Sequence, residues 1–287
     1  MTSYFWYERR IFWEGFMQLN DRVVVVTGGS RGLGREMANG LAAAGGRIVL
    51  ASPETDTLRE AADEINSRFG PGRAVWITAD ITRKPDCERV LKTCIDVFGG
   101  LDVLVNNARR AMRGPGLPPS GNSLPFWESN ADIWQETVHV NVNGTFLLSH
   151  VVVPHMMARG WGRIINITTS LDTMQRRWNS PYGVTKAALE AATMIWAQDL
   201  VGTGVTVNSL APGGSCDSDP NRPFNPNVTL LPIDIMNPLV VWLASDLSDG
   251  RTGERYIGKF WDPNLPPAKA AHNCLEEPVL RAASTKR

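Results

Sequence analysis

Residues 23–34 read VVVVTGGSRGLG, a β-branched run that leads into a glycine-rich loop and then into a segment of helical composition. Glycines at positions 28, 32 and 34 let the backbone turn sharply and come close to a pyrophosphate. The helix that follows directs its N-terminal amides at the same anion. This strand–loop–helix setting predicts a dinucleotide-binding loop, whereas a glycine-rich string alone can be a simple turn. The loop residues assigned to the site are Gly28, Ser30, Arg31, Gly32, Leu33 and Gly34.

Short apolar runs alternate with helical segments along most of the chain. Strands are predicted at Val23–Thr27, Ile48–Ala51, Ala74–Ala79, Asp102–Val105, Arg163–Thr168, Val205–Ser209 and Tyr256–Trp261. The helices predicted between them are Leu33–Ala44, Thr55–Phe69, Pro85–Phe98, Ile133 to about Arg159, and Pro181–Val201. Parallel strands buried on both faces give such runs. The pattern predicts an α/β protein with a Rossmann-type doubly wound parallel sheet of about seven strands, in three α/β/α layers.

Composition divides the chain into three parts. Residues 1–18 carry seven aromatic side chains and lack the pattern of a secretory signal. They are either a loosely packed leader or a segment that docks on a membrane surface or a partner. Residues 19–262 are predicted to form one dinucleotide-binding and catalytic domain. Residues 263–287 contain four prolines and are predicted to be an extended tail.

Charge and composition exclude several functional classes. The 287 residues include 29 basic and 29 acidic side chains, a balance that argues against nucleic acid or an anionic membrane as partner. The longest apolar stretch, Gly144–Ala158, is too short and too polar to span a bilayer. Four distant cysteines form no CxxC pair, and the histidine spacing suits no metal. We expect a cytoplasmic protein that acts on a small molecule without a metal.

Tyr182 and Lys186 are four residues apart near the start of a predicted helix, where Ser180 is a candidate N-cap and Pro181 the first helical residue. This spacing puts both side chains on one helix face. An ammonium group beside a phenol stabilises the phenolate and lowers its pKa. The pair is therefore suited to exchange a proton with an alcohol or a ketone.

The end of the second strand bears on the choice of coenzyme. An acidic residue there binds a free ribose 2′-hydroxyl and repels a 2′-phosphate. That position is Ser52, which is uncharged, and the cation Arg31 lies in the nearby glycine loop. A cation and a hydroxyl without an acid favour NADP(H) over NAD(H). The alternative is that Glu54 or Asp56 takes the role of the acid.

Four motifs together resemble the short-chain dehydrogenase/reductase family, in its single-domain branch. They are the loop at residues 27–34, Asn-Asn-Ala at 106–108, Tyr-x-x-x-Lys at 182–186 and Pro-Gly at 212–213. The resemblance covers residues 19 to about 262. It implies hydride transfer between a nicotinamide dinucleotide and a secondary alcohol or carbonyl, in a homodimer or homotetramer.

The resemblance also implies a role for each matching residue. Tyr182 is the general acid/base, and Lys186 binds the nicotinamide ribose. A hydroxyl thirteen residues before the tyrosine steadies the substrate oxygen, which points to Thr169, or to Ser170 if the loop is one residue shorter. Asn141 holds a proton-relay water. The further cofactor contacts implied are Ser52, Asp80, Ile81, Asn107, Ala108, Pro212, Gly213 and Ser215.

Three departures from the family pattern stand out. Arg109 follows Asn-Asn-Ala where the family usually has a small residue, so it either contacts an acidic substrate or points outward. The usual threonine after Pro-Gly is missing, and Ser215 or Ser218 is the candidate replacement. The last strand lacks the usual Asp-Gly-Gly close, a region that often packs at a subunit interface. Two alternative functions remain: a catalytically silent dinucleotide-binding regulator, and a redox-neutral dehydratase or isomerase.

Overall fold

The computed structural model describes residues 17–110, 124–218 and 229–277, which contain one eight-stranded sheet. The strand order is β3-β2-β1-β4-β5-β6-β7-β8, in which every neighbouring pair is parallel except β7 and β8. The strands are β1 Val23–Thr27, β2 Arg47–Ser52, β3 Ala74–Thr78, β4 Val103–Asn106, β5 Gly162–Ile167, β6 Val205–Ala211, β7 Arg255–Ile257 and β8 Leu275–Glu276. The predicted doubly wound parallel sheet is confirmed, with a short antiparallel strand added at one edge.

Helices cover both faces of the sheet. They are α1 Gly32–Ala43, α2 Thr55–Phe69, α3 Lys84–Phe98, α4 Ala131–Val138, α5 Thr145–Ala158, α6 Leu171–Met174, α7 Tyr182–Asp199, α8 Asn237–Ala244 and α9 Pro267–Asn273. The side chains of β1 alternate between the two layers, because successive residues of a strand point to opposite faces. Val24 and Val26 join one hydrophobic cluster with α1, α2, α8 and α9, whereas Val23 and Val25 join the other with α3 and α5.

The neighbours of β1 decide where a ligand can bind. β1 pairs with β2 on one side and with β4 on the other, so the chain direction of the crossovers reverses between β1 and β4. Loops that leave the carboxyl ends of two such strands diverge and open a crevice. The glycine loop after β1 and the Asn-Asn-Ala segment at the end of β4 therefore lie at the same edge.

The helix predicted from Ile133 to about Arg159 is continuous but not uniform. It begins at Ala131 and ends at Ala158, and residues His139–Gly144 between α4 and α5 form a π-helical turn. Periodicity does not reveal this turn, since it adds a residue without changing the apolar composition. π-helical turns are frequent at functional sites, and this one contains Asn141.

Two predictions from the sequence are wrong, one about the cap of α7 and one about the C-terminal segment. Ser180 does not cap α7: Pro181 precedes the first helical residue and no side-chain cap forms, while the Ser180 hydroxyl accepts a hydrogen bond from Trp134 Nε1 at 3.2 Å. Residues 263–277 are not an extended arm, since they form α9 and β8. The leader at residues 1–16 lies outside the described residues, and Met17 already packs in the core.

Because part of α9 is buried, a substitution in this helix tests whether residues 263–277 stabilise the domain. Ala270 is fully buried, whereas Ala268 on the same helix is exposed. We expect Ala270→Asp to lower the free energy of unfolding by roughly 3–5 kcal/mol, because it buries an unpaired carboxylate. Ala268→Asp should change it by less than about 0.5 kcal/mol. Urea titration of both variants measures this, and equal small effects would show that the segment does not stabilise the domain.

Candidate active site

The glycine loop leaves no room for side chains where it meets β4. Gly28 and Gly32 have positive φ angles of 62° and 56°, and a Cβ on Gly34 would lie 2.2 Å from the Gly28 carbonyl oxygen. Asn107 holds the loop from the neighbouring strand, because its Nδ2 donates to the carbonyls of Thr27 at 2.9 Å and Gly28 at 3.2 Å. Backbone can thus come close to a bulky anion at this point.

Among the described residues, the amino end of α1 has no side-chain cap. Arg31 occupies the N-cap position without a side-chain hydrogen bond, and the first turn contains no acidic residue. The first backbone N–H groups of a helix lack intrahelical partners and favour an anion. Leu33 directs its side chain toward the core and leaves its amide in this first turn. The residues present therefore fit the pyrophosphate of a dinucleotide.

Ser52 is the last residue of β2 and is buried, and a carboxylate lies beside it. Glu54 accepts hydrogen bonds from the hydroxyl of Ser30 at 2.8 Å and from Nη2 of Arg31 at 3.2 Å. Burial raises the pKa of Glu54, but the bonds from Ser30 and Arg31 outweigh it and lower the pKa overall. Asp56 pairs with Arg59 at 3.1 Å instead. Of the two acids considered for the ribose, the structure places Glu54 next to the glycine loop.

Asp80 and Ile81 lie just after β3. The Asp80 carboxylate accepts bonds from the backbone N–H of Thr82 at 2.9 Å and from its hydroxyl at 2.7 Å, so one of its oxygens caps the turn. Ile81 is buried against Gly144, where a Cβ would lie 2.8 Å from the isoleucine side chain. These contacts fix the backbone at the end of β3, and the predicted adenine contact stays a prediction.

Lys186 is a fully enclosed cation. Its side chain is 1% exposed, and Nζ donates to the carbonyl oxygen of Ile167 at 2.7 Å and lies 5.8 Å from the centroid of the Tyr182 ring. Burial lowers the pKa of Lys186 to about 7, helped by the charge of Arg109 and opposed by that of Glu190. The one-face arrangement predicted from the spacing of four is observed.

The Tyr182 hydroxyl does not have the lowered pKa that the sequence predicts. Burial raises the pKa of Tyr182, and the charge of Arg109 and a hydrogen bond with the Thr169 side chain oppose this only in part. The physical reason is that an ionised phenolate loses more solvation in this half-buried position than its neighbours return.

The two candidate hydroxyls lie in different environments. The Thr169 side chain hydrogen-bonds Tyr182, whereas the Ser170 hydroxyl bonds the Thr173 hydroxyl at 2.9 Å at the start of α6. Neighbouring residues of an extended chain point in opposite directions. Thr169 is therefore the hydroxyl that adjoins the tyrosine, in agreement with a spacing of thirteen residues.

Asn141 connects the π-helical turn to the rest of the site. Its Oδ1 accepts from the backbone N–H of Arg110 at 2.7 Å, and its Nδ2 donates to the hydroxyl of Thr185 at 3.1 Å. Asn141 is fully buried. It thus joins the segment after β4 to the helix that carries Tyr182, and its predicted role at a relay water stays a prediction.

The segment after β6 lies against the glycine loop. The Pro212 carbonyl accepts from the backbone N–H of Lys259 at 3.1 Å, and Gly213 has a φ of 92°. Ser215 is exposed. A Cβ on Gly32 would lie 3.3 Å from the Ser218 carbonyl, so the segment closes over the loop.

Comparison with known proteins supports one family. The family model described as short chain dehydrogenase matches residues 22–228. The chain belongs to this family. A 3-oxoacyl acyl-carrier-protein reductase from Synechocystis sp. is 32% identical over 218 residues, which cover 75% of this chain and 83% of that protein.

Solved structures agree with this assignment. A short-chain dehydrogenase from Shigella flexneri in complex with NADP has a TM-score of 0.73 and 26% identity, and the match covers 85% of this chain and 99% of that one. A 3-ketoacyl acyl-carrier-protein reductase from Brucella melitensis in complex with NADH has a TM-score of 0.73 at 23% identity, covering 83% and 96%. The second likeness concerns the fold alone.

This short-chain dehydrogenase holds a buried ion pair that sequence reasoning missed. Arg255 of β7 is 1% exposed and pairs with Glu190 of α7. It also donates from Nη2 to the Thr169 carbonyl at 2.8 Å and from Nε to Glu276 of β8 at 2.8 Å. Glu190 in turn accepts from the Ser209 hydroxyl at 2.8 Å. The sequence signal is weak, because Arg255 is the first residue of a short strand whose other residues are Tyr256 and Ile257.

The described parts of this dehydrogenase contain neither a metal-binding cluster nor a helix that could span a membrane. Within residues 17–110, 124–218 and 229–277, no group of three or more metal-ligating side chains is close enough to hold an ion. No helix in the same ranges is long and apolar enough to cross a bilayer.

The pKa of Lys186 predicts how the stability of this dehydrogenase depends on pH. The folded value of about 7 lies below the ordinary 10.5, so above pH 7 the unfolded chain binds more protons than the folded one. The free energy of unfolding should therefore rise between about pH 7 and 8.5, by at most about 1.4 kcal/mol per pH unit from this group. Urea titrations of the apoprotein across this range, with Lys186→Met, should show a flatter slope in the variant.

The exposed Lys92 provides the control for this measurement, because it pairs with Asp96 on the surface of α3. Lys92→Met should keep the slope of the unmodified chain. A Lys186→Met slope equal to that of the unmodified chain would contradict the assigned pKa. The range stops at pH 8.5 because buried thiols act in the opposite direction at higher pH. Burial raises the pKa of Cys87 to about 11, so the unfolded chain loses this proton first and the free energy of unfolding falls as pH rises.

Proposed function

We propose that this short-chain dehydrogenase interconverts a secondary alcohol and a ketone or aldehyde with a nicotinamide dinucleotide, and that Tyr182 is the general acid/base. The observation that carries the proposal is the placement of Lys186, which is 1% exposed and has its Nζ 5.8 Å from the centroid of the Tyr182 ring. The Thr169 side chain supports it, because its hydrogen bonding lowers the pKa of Tyr182. A substrate oxygen placed between the two hydroxyls has one group to hold it and one to exchange its proton.

The nicotinamide group supplies the hydride when it is bound, and the chain supplies position and proton transfer. The Thr169 hydroxyl donates a hydrogen bond to the substrate oxygen. Tyr182 gives its proton to that oxygen in reduction and takes it back in oxidation. Lys186 holds the ribose hydroxyls, and Asn141 orders a water that connects the site to solvent. The raised pKa of Tyr182 favours its protonated form, which is the form that acts in reduction.

The two alternatives differ from this proposal in what Tyr182 does. A silent regulator binds the dinucleotide through the glycine loop and makes no use of the Tyr182–Thr169 contact. A dehydratase or isomerase uses the tyrosine without net oxidation of the coenzyme. Absorbance of the reduced nicotinamide with a panel of carbonyl compounds separates the three: the oxidoreductase alone consumes the coenzyme.

Replacement of Tyr182 by Phe tests the proposal, because it removes one hydroxyl and keeps the ring. We expect turnover to fall at least about a hundredfold, the usual scale for a lost acid/base, with fold and coenzyme binding retained. Steady-state kinetics and a coenzyme titration on the same protein measure both. Turnover that stays close to that of the unmodified enzyme would exclude Tyr182 as the acid/base.

Thr169→Val and Ser170→Ala form a matched pair for the second hydroxyl. Thr169→Val removes the group that hydrogen-bonds Tyr182 and should lower kcat, whereas Ser170→Ala affects a hydroxyl engaged with Thr173 and should have a small effect. Equal and small losses in the two variants would mean that another group holds the substrate oxygen.

NADP(H) is the coenzyme we propose, on the strength of Arg31 and the hydroxyl of Ser52. The Arg31 side chain is 77% exposed and pairs with Glu54 on the surface, so it is able to turn toward a 2′-phosphate. A charge-assisted hydrogen bond of this kind contributes roughly 1.5–3 kcal/mol, about one to two decades in affinity. Glu54 competes for the same guanidinium and repels the phosphate, which reduces the preference.

Calorimetric titration of NADPH and NADH into three variants at one ionic strength tests this choice. Arg31→Ala should weaken the binding of NADPH by up to one or two decades in affinity and leave the affinity for NADH nearly unchanged. Ser52→Asp should weaken NADPH further, because it adds a second negative charge. Glu54→Gln should tighten NADPH. If the unmodified enzyme binds NADH as tightly as NADPH, and Glu54→Gln weakens NADH, then Glu54 is the ribose acid and the coenzyme is NAD(H).

Assembly and compartment stay predictions from the sequence. We propose a homodimer or a homotetramer in the cytoplasm, acting on a small carbonyl or alcohol without nucleic acid. Sedimentation velocity of the full chain measures the assembly, and a single monomeric species would contradict it.

A further inference from the structure

Arg109 places a full positive charge beside the proposed acid/base. It follows Ala108 after the carboxyl end of β4, and its guanidinium carbon lies 5.9 Å from the centroid of the Tyr182 ring. A small residue at this position, as the family pattern usually has, would supply no charge. A substrate bound at Tyr182 in this chain therefore meets a cation that the common pattern lacks.

The two adjacent arginines differ in their partners. Arg110 pairs through Nη2 with Glu136 Oε2 at 2.9 Å. The Arg109 side chain is exposed, and no carboxylate among residues 17–110, 124–218 and 229–277 lies within ion-pair distance of it. Arginine presents a planar fork that binds carboxylates through two parallel hydrogen bonds. Among the described residues, no carboxylate therefore occupies the donors of Arg109 next to Tyr182.

The surrounding charges also favour an anion. The amine of Lys186, with a pKa lowered to about 7, lies 5.8 Å from the centroid of the Tyr182 ring and adds positive charge where it is protonated. The nearest acid on the same helix, Glu190, is already paired with Arg255. The charge of Arg109 acts on both neighbours. It lowers the pKa of Lys186, which burial also lowers, and it lowers the pKa of Tyr182, which burial raises. A negative group on the substrate would offset this excess of positive charge.

We propose that Arg109 binds a carboxylate of the substrate, so that the enzyme acts on oxo acids and the corresponding hydroxy acids in which the carboxylate is attached to the carbonyl carbon or lies one carbon further along the chain. This proposal rests on the proposed function. In reduction the carbonyl carbon gains a hydride from the reduced coenzyme and its oxygen gains a proton from Tyr182, which yields the hydroxy acid and the oxidised coenzyme. The carboxylate is unchanged and fixes a second point of the substrate, which orients the carbonyl.

The test compares acids with their neutral esters in four proteins. The probes are 2-oxobutanoate, 3-oxobutanoate and benzoylformate, each beside its methyl ester, with NADPH and with NADH. The proteins are the unmodified chain, Arg109→Met, Arg109→Lys and Arg110→Met, the last being the neighbouring arginine paired with Glu136. Initial rates give kcat/KM, and calorimetric titration of the same compounds into the enzyme–coenzyme complex gives binding.

We expect the unmodified enzyme to prefer at least one acid over its ester by about ten- to a hundredfold in kcat/KM or in affinity. Arg109→Met should abolish this preference, so that acid and ester react with similar kcat/KM, whereas Arg109→Lys should keep part of it and Arg110→Met should keep all of it. A preference that survives in Arg109→Met, or no preference for any acid, would overturn the proposal. So would an effect of Arg109→Met on the coenzyme alone, which would assign the cation to a coenzyme phosphate.

The two proposals fail in different ways. Tyr182-dependent reduction of neutral ketones without any preference for acids would keep the proposed function and exclude the carboxylate site. Binding of acids through Arg109 without turnover of any carbonyl would keep the carboxylate site and exclude the oxidoreductase.

Discussion

The close approach of the glycine loop to the end of β4 is the constraint on which the rest of the site depends. Asn107 bonds the carbonyls of Thr27 and Gly28 across two neighbouring parallel strands, and Gly34 touches Gly28 so closely that no side chain fits. This contact fixes where β4 ends and therefore where Arg109 and Arg110 lie. Arg110 then binds Asn141, and Asn141 binds the helix of Tyr182 through Thr185. The glycine loop and the helix of Tyr182 are thus held in fixed positions relative to each other.

The position of the Tyr182 helix also buries the amine of Lys186 in the interior. Lys186 is placed by its helix behind the Tyr182 ring, and its ammonium group finds only the carbonyl of Ile167 among the described residues. Because burial disfavours the charged amine, the pKa of Lys186 falls to about 7. Protonation of this amine at lower pH is therefore expected to make the apoprotein less stable. Active sites commonly carry such destabilised groups, because an available donor at the reacting centre is worth more to turnover than to folding.

Local signals in the sequence were sufficient for the fold and for part of the site. The valine run with its glycines located the first strand and the loop, and a spacing of four put Tyr182 and Lys186 on one face, since both depend on chain geometry over a few residues. Periodicity could not reveal that Arg255 reaches Glu190, 65 residues away, or that Glu54 folds back on Arg31. Nor could it give the pKa of Tyr182, because burial is a property of the packed site rather than of the Tyr-x-x-x-Lys motif.

The strands near the C-terminal end of the described residues share one buried guanidinium. Arg255 of β7 is 1% exposed, and a buried guanidinium requires several acceptors. Glu190 supplies one from α7, Thr169 supplies its carbonyl, and Glu276 supplies another from β8. β8 is therefore needed to complete the shell of Arg255 and also covers the edge of β7, which would otherwise present unpaired backbone groups. Because Arg255 binds both Glu276 of β8 and the carbonyl of Thr169, β8 is coupled through one side chain to the residue beside Tyr182.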